Sequence, residues 1–377
     1  MTTILTNARL VLANEIVLGT VVLDGAGIAD VQPGRSHLPG AVDLDGDILA
    51  PGVVDVHTDN LERQVQPRSN ARWPSRSAML AHDAQCAAAG VTTVLDALCL
   101  GDLGFDKDRT QTFHDGVADL NALADTGLLK SEHFLHLRCE LPAPDMQDLL
   151  DPVAEHPRVR MVSLMDHSPG VGQYANMDRY RRMRVREGHS AAWIEGRIAE
   201  LQEQRARLRG PNRRWLLHRM GPLGIVLASH DDNTAEEVAE NAADGIGISE
   251  FPVSMLAASA ARASGMEVIA GAPNIVRGGS HSGNVAAADL VRAGVVDAFA
   301  SDYVPSSMLE AAFVGVMQAG ITLAQGVAMV TAGPARMAGL ADRGRIAAGL
   351  RADLVRVREW EGLPVVREVW RAGERVV

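Results

Sequence analysis

Five short apolar runs in this chain each end in a histidine or a carboxylate, and this pattern limits the folds open to it. The runs cover residues 52–59, 134–140, 161–167, 225–230 and 298–302. Apolar runs of this length are typical of parallel strands that are buried on both faces. The ligand-type residues at their ends are His57, Asp59, Glu140, His167, His230 and Asp302. Since a (β/α)8 barrel carries its active site at the carboxyl ends of its strands, the pattern predicts a metal site in such a barrel.

Alternation of strand and helix patterns supports the same α/β fold, a TIM-like barrel. Helical patterns over residues 77–89, 286–293 and 309–319 lie between strand patterns. Eight repeats of this alternation are the signature of the barrel. The predicted strands cover residues 53–59, 91–96, 133–140, 159–167, 224–231, 246–251, 267–272 and 297–302.

The two chain ends have a different pattern from the middle. Residues 1–51 and 346–377 contain short strand-like pieces punctuated by Gly, Pro and Asp. Neither end is long enough to bury a core alone. We therefore expect both ends to form one small β-sandwich domain, with the catalytic barrel over residues 52–345.

Residues 171–215 interrupt the rhythm of the barrel and are rich in arginine and glutamate. This composition predicts a helical insertion. A solvated helical hairpin with charge pairs four residues apart is one interpretation. A second interpretation is a cap over the barrel mouth whose arginines bind an anion. RNA binding is a third.

Composition excludes several classes of protein. The net charge of −11 argues against a nucleic-acid-binding protein, whose footprint is basic, but a local field in a cleft still allows an anionic small-molecule substrate. No run approaches the ~20 apolar residues of a membrane span, and the first residues lack the pattern of a secretory signal. The three cysteines fit no zinc motif and are expected to be buried thiols. We expect a cytoplasmic enzyme, and homodimerisation is compatible with a barrel of this kind.

The strand-end residues have the chemistry of a metal centre. Side chains alternate along a strand, so His57 and Asp59 project to one side, as do Arg138 and Glu140. Imidazoles and carboxylates together suit Zn, Mn or Fe. If Glu140 bridged two such ions about 3.5–4 Å apart, they would acidify a shared water molecule. Asp302 would then be a ligand and also the catalytic acceptor of the water proton; the alternative for Asp302 is a turn residue at a strand end.

A glycine-rich segment over residues 274–284 predicts an anion site. Its glycines allow close backbone approach, and a following helix N-terminus favours anions. Arg277 is suited to hold a phosphate bidentately, although a glycine-rich turn capped by Ser282 explains the same residues. Arg138 is either an anion ligand or a partner of Glu140. The predicted substrate contacts are Arg63, Arg68, Arg138, Asn274, Arg277, Gly278, Gly279, Ser280, His281 and Asn284.

His57-Thr58-Asp59, followed by His167, His230 and Asp302, resembles the amidohydrolase superfamily, as does the tail over residues 331–355. Two departures stand out. The usual His-x-His is His57-Thr58-Asp59 here, and the two lysines of the chain, Lys107 and Lys130, end no predicted strand. Many members bridge their metals with a carboxylated lysine, so the resemblance implies that Glu140 substitutes for it.

Longer motifs resemble the PhnM family of that superfamily. They cover residues 57–60, 136–142, 163–170, 228–232, 249–252, 271–284 and 301–303. The resemblance implies an enzyme of the carbon–phosphorus lyase pathway, which catabolises phosphonates. It would hydrolyse α-D-ribose 1-methylphosphonate 5-triphosphate to the 5-phosphate and pyrophosphate. The alternatives are an amidohydrolase that cleaves the C–N bond of a cyclic amide or N-acyl amino acid, and a non-catalytic barrel that serves as a binding subunit.

Overall fold

The computed structural model describes residues 2–68, 71–104, 108–280 and 282–377. Its strands are β1 (Thr2–Val11), β2 (Ile16–Asp24), β3 (Gly27–Pro33), β4 (Val42–Asp43), β5 (Ile48–Pro51), β6 (Val53–Thr58), β7 (Val91–Leu100), β8 (Glu132–Glu140), β9 (Val159–Met165), β10 (Val226–His230), β11 (Ile248–Glu250), β12 (Glu267–Gly271), β13 (Ala298–Ala300), β14 (Leu354–Trp360), β15 (Leu363–Arg371) and β16 (Glu374–Arg375).

The α-helices are α1 (Asn60–Val65), α2 (Ser75–Ala88), α3 (Arg109–Leu123), α4 (Met146–Leu150), α5 (Met177–Arg186), α6 (Ala191–Met220), α7 (Ala235–Ala243), α8 (Met255–Ala263), α9 (Ala272–Val276), α10 (Ala287–Arg292), α11 (Ser307–Ala319), α12 (Leu323–Ala328) and α13 (Ala332–Met337). Short 3-10 helices cover Asp151–Val153, Gly172–Tyr174 and Gly221–Leu223. Among the helices of the described ranges, none is long and apolar enough to cross a membrane.

Strands β6 to β13 form one parallel sheet in the order of the sequence. The sheet curves until its two edges meet, where Thr58 and Asp302 form a parallel bridge. At this seam Asp59 N donates to Asp302 O at 2.6 Å, and Asp302 N donates to His57 O at 3.0 Å. The predicted eight-stranded barrel is confirmed, and its closure brings the ends of the first and last strands together.

The barrel interior is filled by side chains from all eight strands. These residues are Val54, Val56, Leu95, Phe134, Met161, Ala228, Ile248, Ile269, Ala298 and Ala300. Because the interior is packed, chemistry is confined to the rim, as in other barrels of this type.

A second sheet combines strands from both chain ends, as expected. Its order is β16-β15-β14-β5-β1-β2-β3, and β4 pairs with β1. The sheet is mixed, since β1 is parallel to β5 and antiparallel to β2. It is joined to the start of the barrel where Gly52 N donates to Asp353 O at 2.8 Å.

Two helices, α5 and α6, occupy the arginine-rich interval, and α6 continues to Met220. They pack on each other through a small buried cluster of Tyr180, Ile194 and Ile198. Arg181 Nε donates to Glu195 Oε1 at 2.6 Å across the pair. Apolar packing and ion pairing therefore both hold α5 on α6.

Candidate active site

The first group of ligand-type atoms lies at the seam of the barrel. His57 is the penultimate residue of β6, Asp59 precedes α1, and Asp302 follows β13. One ligand atom from each lies within 4.8 Å of the others. His57 Nε2 is 3.5 Å from Asp59 Oδ1, and it is buried with no hydrogen-bond partner. A buried polar nitrogen without a partner is costly, so this atom is suited to a ligand.

The second group comprises His167, His230 and Asp231. Asp231 Oδ2 lies 3.9 Å from His167 Nε2 and 3.8 Å from His230 Nε2, and it too is buried without a hydrogen-bond partner. Asp231 adopts a φ of 58°, a left-handed conformation that departs from the alternation of the preceding strand. The turn brings its carboxylate beside His230 in space as well as in sequence.

Glu250, at the end of β11, connects the two groups. Its carboxylate accepts from His57 Nδ1 at 2.7 Å and from His230 Nδ1 at 2.9 Å. A carboxylate on Nδ1 orients the ring so that Nε2 faces the other ligand atoms, as in carboxylate–histidine–metal arrangements. One buried side chain thus orients a histidine in each group.

Glu140 is arranged differently from the expected bridging ligand. Both of its oxygens accept from His167, one from the backbone N at 2.8 Å and one from Nδ1 at 2.6 Å. Glu140 contributes to no group of three ligand-type atoms among the described residues. In this geometry it orients His167, because the chain after β9 turns His167 back onto the end of β8.

Electrostatics at the site reflect a crowd of buried carboxylates. Burial raises the pKa of Asp302 to about 7, and repulsion from Asp59 adds to the shift. Burial alone would lower the pKa of His57, but the Glu250 carboxylate outweighs it and raises this pKa to about 10. Burial would raise the pKa of Asp59, but Arg138, whose Nη1 donates to Asp59 Oδ1 at 2.5 Å, holds it well below its usual range.

These observations test whether the residues fit a metal. Nitrogen and carboxylate ligands are of the kind that Zn, Mn and Fe accept. His57 Nε2 and Asp231 Oδ2 each lack a partner, and the crowded carboxylates carry charge that a cation would offset. The two groups therefore fit divalent metal ions.

A cleft opens beside the ligand atoms. Of the predicted substrate contacts, those that line it are Arg138, Asn274, Arg277, Ser280 and Asn284. Arg138 was predicted to be either an anion ligand or an ion-pair partner of Glu140. It lines the cleft, and its ion-pair partner is Asp59 and not Glu140. Arg277 is exposed at the rim.

The glycine-rich segment is only partly the predicted loop. Residues up to Val276 form the short helix α9 directly after β12. Asn274 Nδ2 donates to Val285 O at 3.1 Å, and Asn274 Oδ1 accepts from Ala287 N at 2.9 Å, so its side chain fixes the shape of the loop.

The other five predicted contacts are not among the described residues that line the cleft. Gly278 and Gly279 are not among the residues that line the cleft, and His281 lies outside the described residues. Arg63 Nη1 donates to the carbonyl of Tyr303 at 2.7 Å and so supports a cleft residue from behind. Arg68 is exposed and forms an isolated bridge with Ala71, outside the cleft.

Sequence reasoning missed two residues of the site, Asp231 and Glu250. Glu250 ends a predicted strand and satisfies the rule that identified the other strand-end residues. Asp231 follows His230 directly, so strand alternation assigns it to the opposite side. Only its backbone conformation reveals its position.

Comparison with known proteins agrees with this architecture. The model of the amidohydrolase family matches residues 226–377. N-acetyl-D-glucosamine-6-phosphate deacetylase from Mycobacterium smegmatis is 17% identical, with a TM-score of 0.65, over 100% of this chain and 99% of the other. Dihydropyrimidinase from Brevibacillus agri is 14% identical, with a TM-score of 0.65, over 100% and 95%. The fold is shared with these solved structures, and the family model matches the carboxyl-terminal part of the chain.

A curated relative is much more similar in sequence. Alpha-D-ribose 1-methylphosphonate 5-triphosphate diphosphatase from Escherichia coli (strain K12) is 42% identical, over 99% of this chain and 100% of the relative. The chain therefore belongs to the PhnM family, that of this diphosphatase.

Proposed function

We propose that this protein is a metal-dependent diphosphatase that hydrolyses α-D-ribose 1-methylphosphonate 5-triphosphate to the 5-phosphate and pyrophosphate, in phosphonate catabolism. The observation that carries the catalytic part is the pair of ligand groups with two unpartnered buried atoms, His57 Nε2 and Asp231 Oδ2. The substrate is taken from the name of the 42% identical relative.

We assign two ions of the Zn, Mn or Fe type to the two groups. His57, Asp59 and Asp302 would hold one ion, and His167, His230 and Asp231 the other. When bound, such ions supply Lewis-acid polarisation of a phosphate and lower the pKa of a water molecule. Glu140 and Glu250 orient the histidines from behind, so we assign Glu140 a positioning role in place of the bridging role expected from the sequence.

The other side chains of the cleft transfer a proton and bind the phosphate groups. Asp302, at the seam, accepts the proton of the attacking water through a carboxylate oxygen. Arg138 holds Asp59 in place and keeps it ionised. Arg277, Ser280 and Asn284 supply donors from the loop side to the phosphate oxygens. The cationic rim would attract the phosphate groups of the substrate. With those groups bound at the rim, the reacting phosphorus would lie over the metal ligands at the base of the cleft.

The direct test is release of pyrophosphate from ribose 1-methylphosphonate 5-triphosphate. Metal-loaded protein should form pyrophosphate and the 5-phosphate in equal amounts, and chelator-treated protein should form neither until metal is restored.

Two results would contradict the proposal. One is release of orthophosphate in place of pyrophosphate. The other is no release from protein that is shown to carry metal, together with hydrolysis of a cyclic amide or N-acyl amino acid, which would establish the C–N bond alternative.

A further inference from the structure

A second pocket lies next to the active-site cleft, and the insertion helix α5 forms its wall. We call it the arginine pocket; its lining residues are Gln173, Tyr174, Asn176, Arg179, Tyr180, Arg182, Met183, Arg186 and Ser282. Gln173 and Ser282 line the cleft as well, so the two cavities are neighbours. A ligand long enough to leave the cleft on this side enters the arginine pocket.

The wall of this pocket is tied to the candidate metal site. Gly172 packs so closely on Asp231 that an added Cβ would lie 3.1 Å from the Asp231 Cβ. The ring of Tyr174 contacts His167 edge to face, with centroids 6.1 Å apart. Asn176 caps α5 by accepting from Arg179 N at 3.0 Å. The segment that leads into α5 is therefore anchored beside the ligand groups.

The charge of the arginine pocket is opposite to that of the cleft. Its described lining contains no aspartate or glutamate, whereas Asp59, Asp231 and Asp302 line the cleft. On the same helix Arg184 pairs with Glu187 at 2.8 Å. In the part of the chain that the structure describes, Arg182 and Arg186 form no ion pair with any carboxylate.

These charges matter more because the chain as a whole is acidic. The chain has 36 lysines and arginines, 47 aspartates and glutamates, and a net charge of −11. The arginine pocket, whose described lining is cationic and lacks carboxylates, is therefore a local exception to the negative charge of the protein. Guanidinium groups favour phosphate oxygens, which they bind through paired N–H donors. The arginine pocket is suited to an anion with several phosphate oxygens.

We propose that the arginine pocket binds the terminal diphosphate of the triphosphate substrate and so determines that pyrophosphate is the leaving group. With the diphosphate held there, the α-phosphorus lies over the ligand groups. Water adds to this phosphorus, the bond to the α–β bridging oxygen breaks, the diphosphate leaves with that oxygen, and the water proton passes to Asp302. The inference rests on the proposed function, and it adds the residues that select the bond.

The test uses Arg182→Ala/Arg186→Ala, with Arg207→Ala as the matched control. Arg207 is exposed on α6, lines neither cavity and forms no ion pair among the described residues. Calorimetry would measure binding of inorganic pyrophosphate to metal-loaded protein at one fixed metal concentration. The double variant should bind about tenfold more weakly than wild type, and the control should stay within about twofold.

A charge-preserving variant separates recognition from structure. Arg182→Lys/Arg186→Lys should recover part of the lost affinity, and the affinity of wild type should fall more steeply with salt than that of the double alanine variant. In turnover, the double alanine variant should raise KM and release a larger share of orthophosphate.

Equal pyrophosphate affinity in wild type and the double alanine variant, with both proteins folded by circular dichroism, would overturn the inference. This readout is independent of turnover. If wild type released no pyrophosphate from the triphosphate but bound pyrophosphate through these arginines, the proposed function would fail and the anion pocket would stand.

Discussion

Two buried clusters of histidines and carboxylates, one at the carboxyl rim of the barrel and one between the barrel and α2, differ in their hydrogen bonding. The open cluster faces the cleft and comprises His57, Asp59, His167, His230, Asp231 and Asp302. The closed cluster lies between the barrel and α2 and comprises His82, Asp83, Asp96 and His133. Both place at least three ligand-type atoms within 4.8 Å. By residue type and distance alone, both qualify as metal sites.

Hydrogen bonding separates them. In the closed cluster, His82 Nε2 donates to Asp96 at 2.7 Å, and its Nδ1 accepts from the amide of Asn60 at 2.9 Å. His133 donates from Nδ1 to Asp96 at 2.9 Å and from Nε2 to Asp83 at 3.1 Å. Each imidazole nitrogen thus has a partner, whereas His57 Nε2 in the open cluster has none.

The comparison teaches that unpartnered atoms, more than ligand types, mark a binding site. A satisfied buried network stabilises the fold and would have to break hydrogen bonds to accept an ion. The open cluster has oriented but unsatisfied atoms, so an ion there costs no internal bond. We expect the open cluster to control turnover and the closed cluster to control stability.

The largest effect is expected in the open cluster. Asp302→Asn removes a charged ligand and the proton acceptor, so turnover should fall about 10⁴-fold. The fold should persist because Asp302 closes the barrel through its backbone N and O, and asparagine tolerates its φ of 55°. Near-normal turnover in a soluble variant would remove the catalytic role of Asp302.

The opposite result is expected in the closed cluster. Asp96→Asn weakens bonds to both His82 and His133, and breaking such a buried pair should lower the free energy of unfolding by about 3 kcal/mol. Turnover per folded molecule should stay within about twofold. Asp125→Asn is the control, because its side chain is 90% exposed and pairs with Arg158 at the surface. Urea unfolding of both variants measures the difference; equal stabilities would contradict the structural role.

Glu250 supports the open cluster from behind and should have an intermediate effect. Glu250→Gln weakens the bonds that orient His57 and His230, and metal affinity should fall about 10- to 100-fold. Chelator competition measures it, with Glu203→Gln on the exposed face of α6 as the control. Unchanged metal affinity would show that Glu250 does not position these histidines.

Alkaline pH should weaken the closed cluster. Burial lowers the pKa of His133, but Asp96 outweighs it and raises this pKa to about 9 from an ordinary 6.5. The stability from the imidazolium is fully present below pH about 6.5 and is lost as the pH rises through about 9. Between pH 7 and 9.5 wild type should lose about 2 kcal/mol more unfolding free energy than His133→Gln. Parallel losses in the two proteins would contradict a charged His133.

The smallest effect concerns the exposed rim of the cleft. Arg277→Ala should raise KM about fivefold with little change in kcat, since it removes a solvent-screened phosphate contact. Arg345→Ala, an exposed arginine outside the cleft, is the control. An unchanged KM would remove Arg277 from the substrate site.

The sequence was sufficient to predict the barrel because eight strand patterns with apolar residues alternate with helical patterns along the chain. All eight predicted strands are present, and His57, His167 and Asp302 lie at the carboxyl rim as expected. The hydrogen bonds that distinguish the two clusters could not be predicted from strand and helix patterns. Glu250 contacts His57 from 193 positions away, and no local pattern links the two.

Backbone conformation accounts for the other differences. Strand alternation assigns Asp231 to the wrong side because it assumes extended backbone, and a φ of 58° reverses the direction. Glu140 was predicted to bridge two metals because it ends a strand. The turn after β9 instead brings His167 onto it, and both carboxylate oxygens are used there.

The most direct test of the central claim is anomalous diffraction from crystals of the metal-loaded protein, measured at the absorption edge of the bound metal. We predict peaks between His57, Asp59 and Asp302 and between His167, His230 and Asp231, and none at the closed cluster. A peak among His82, Asp96 and His133, or none at the open cluster, would contradict the account.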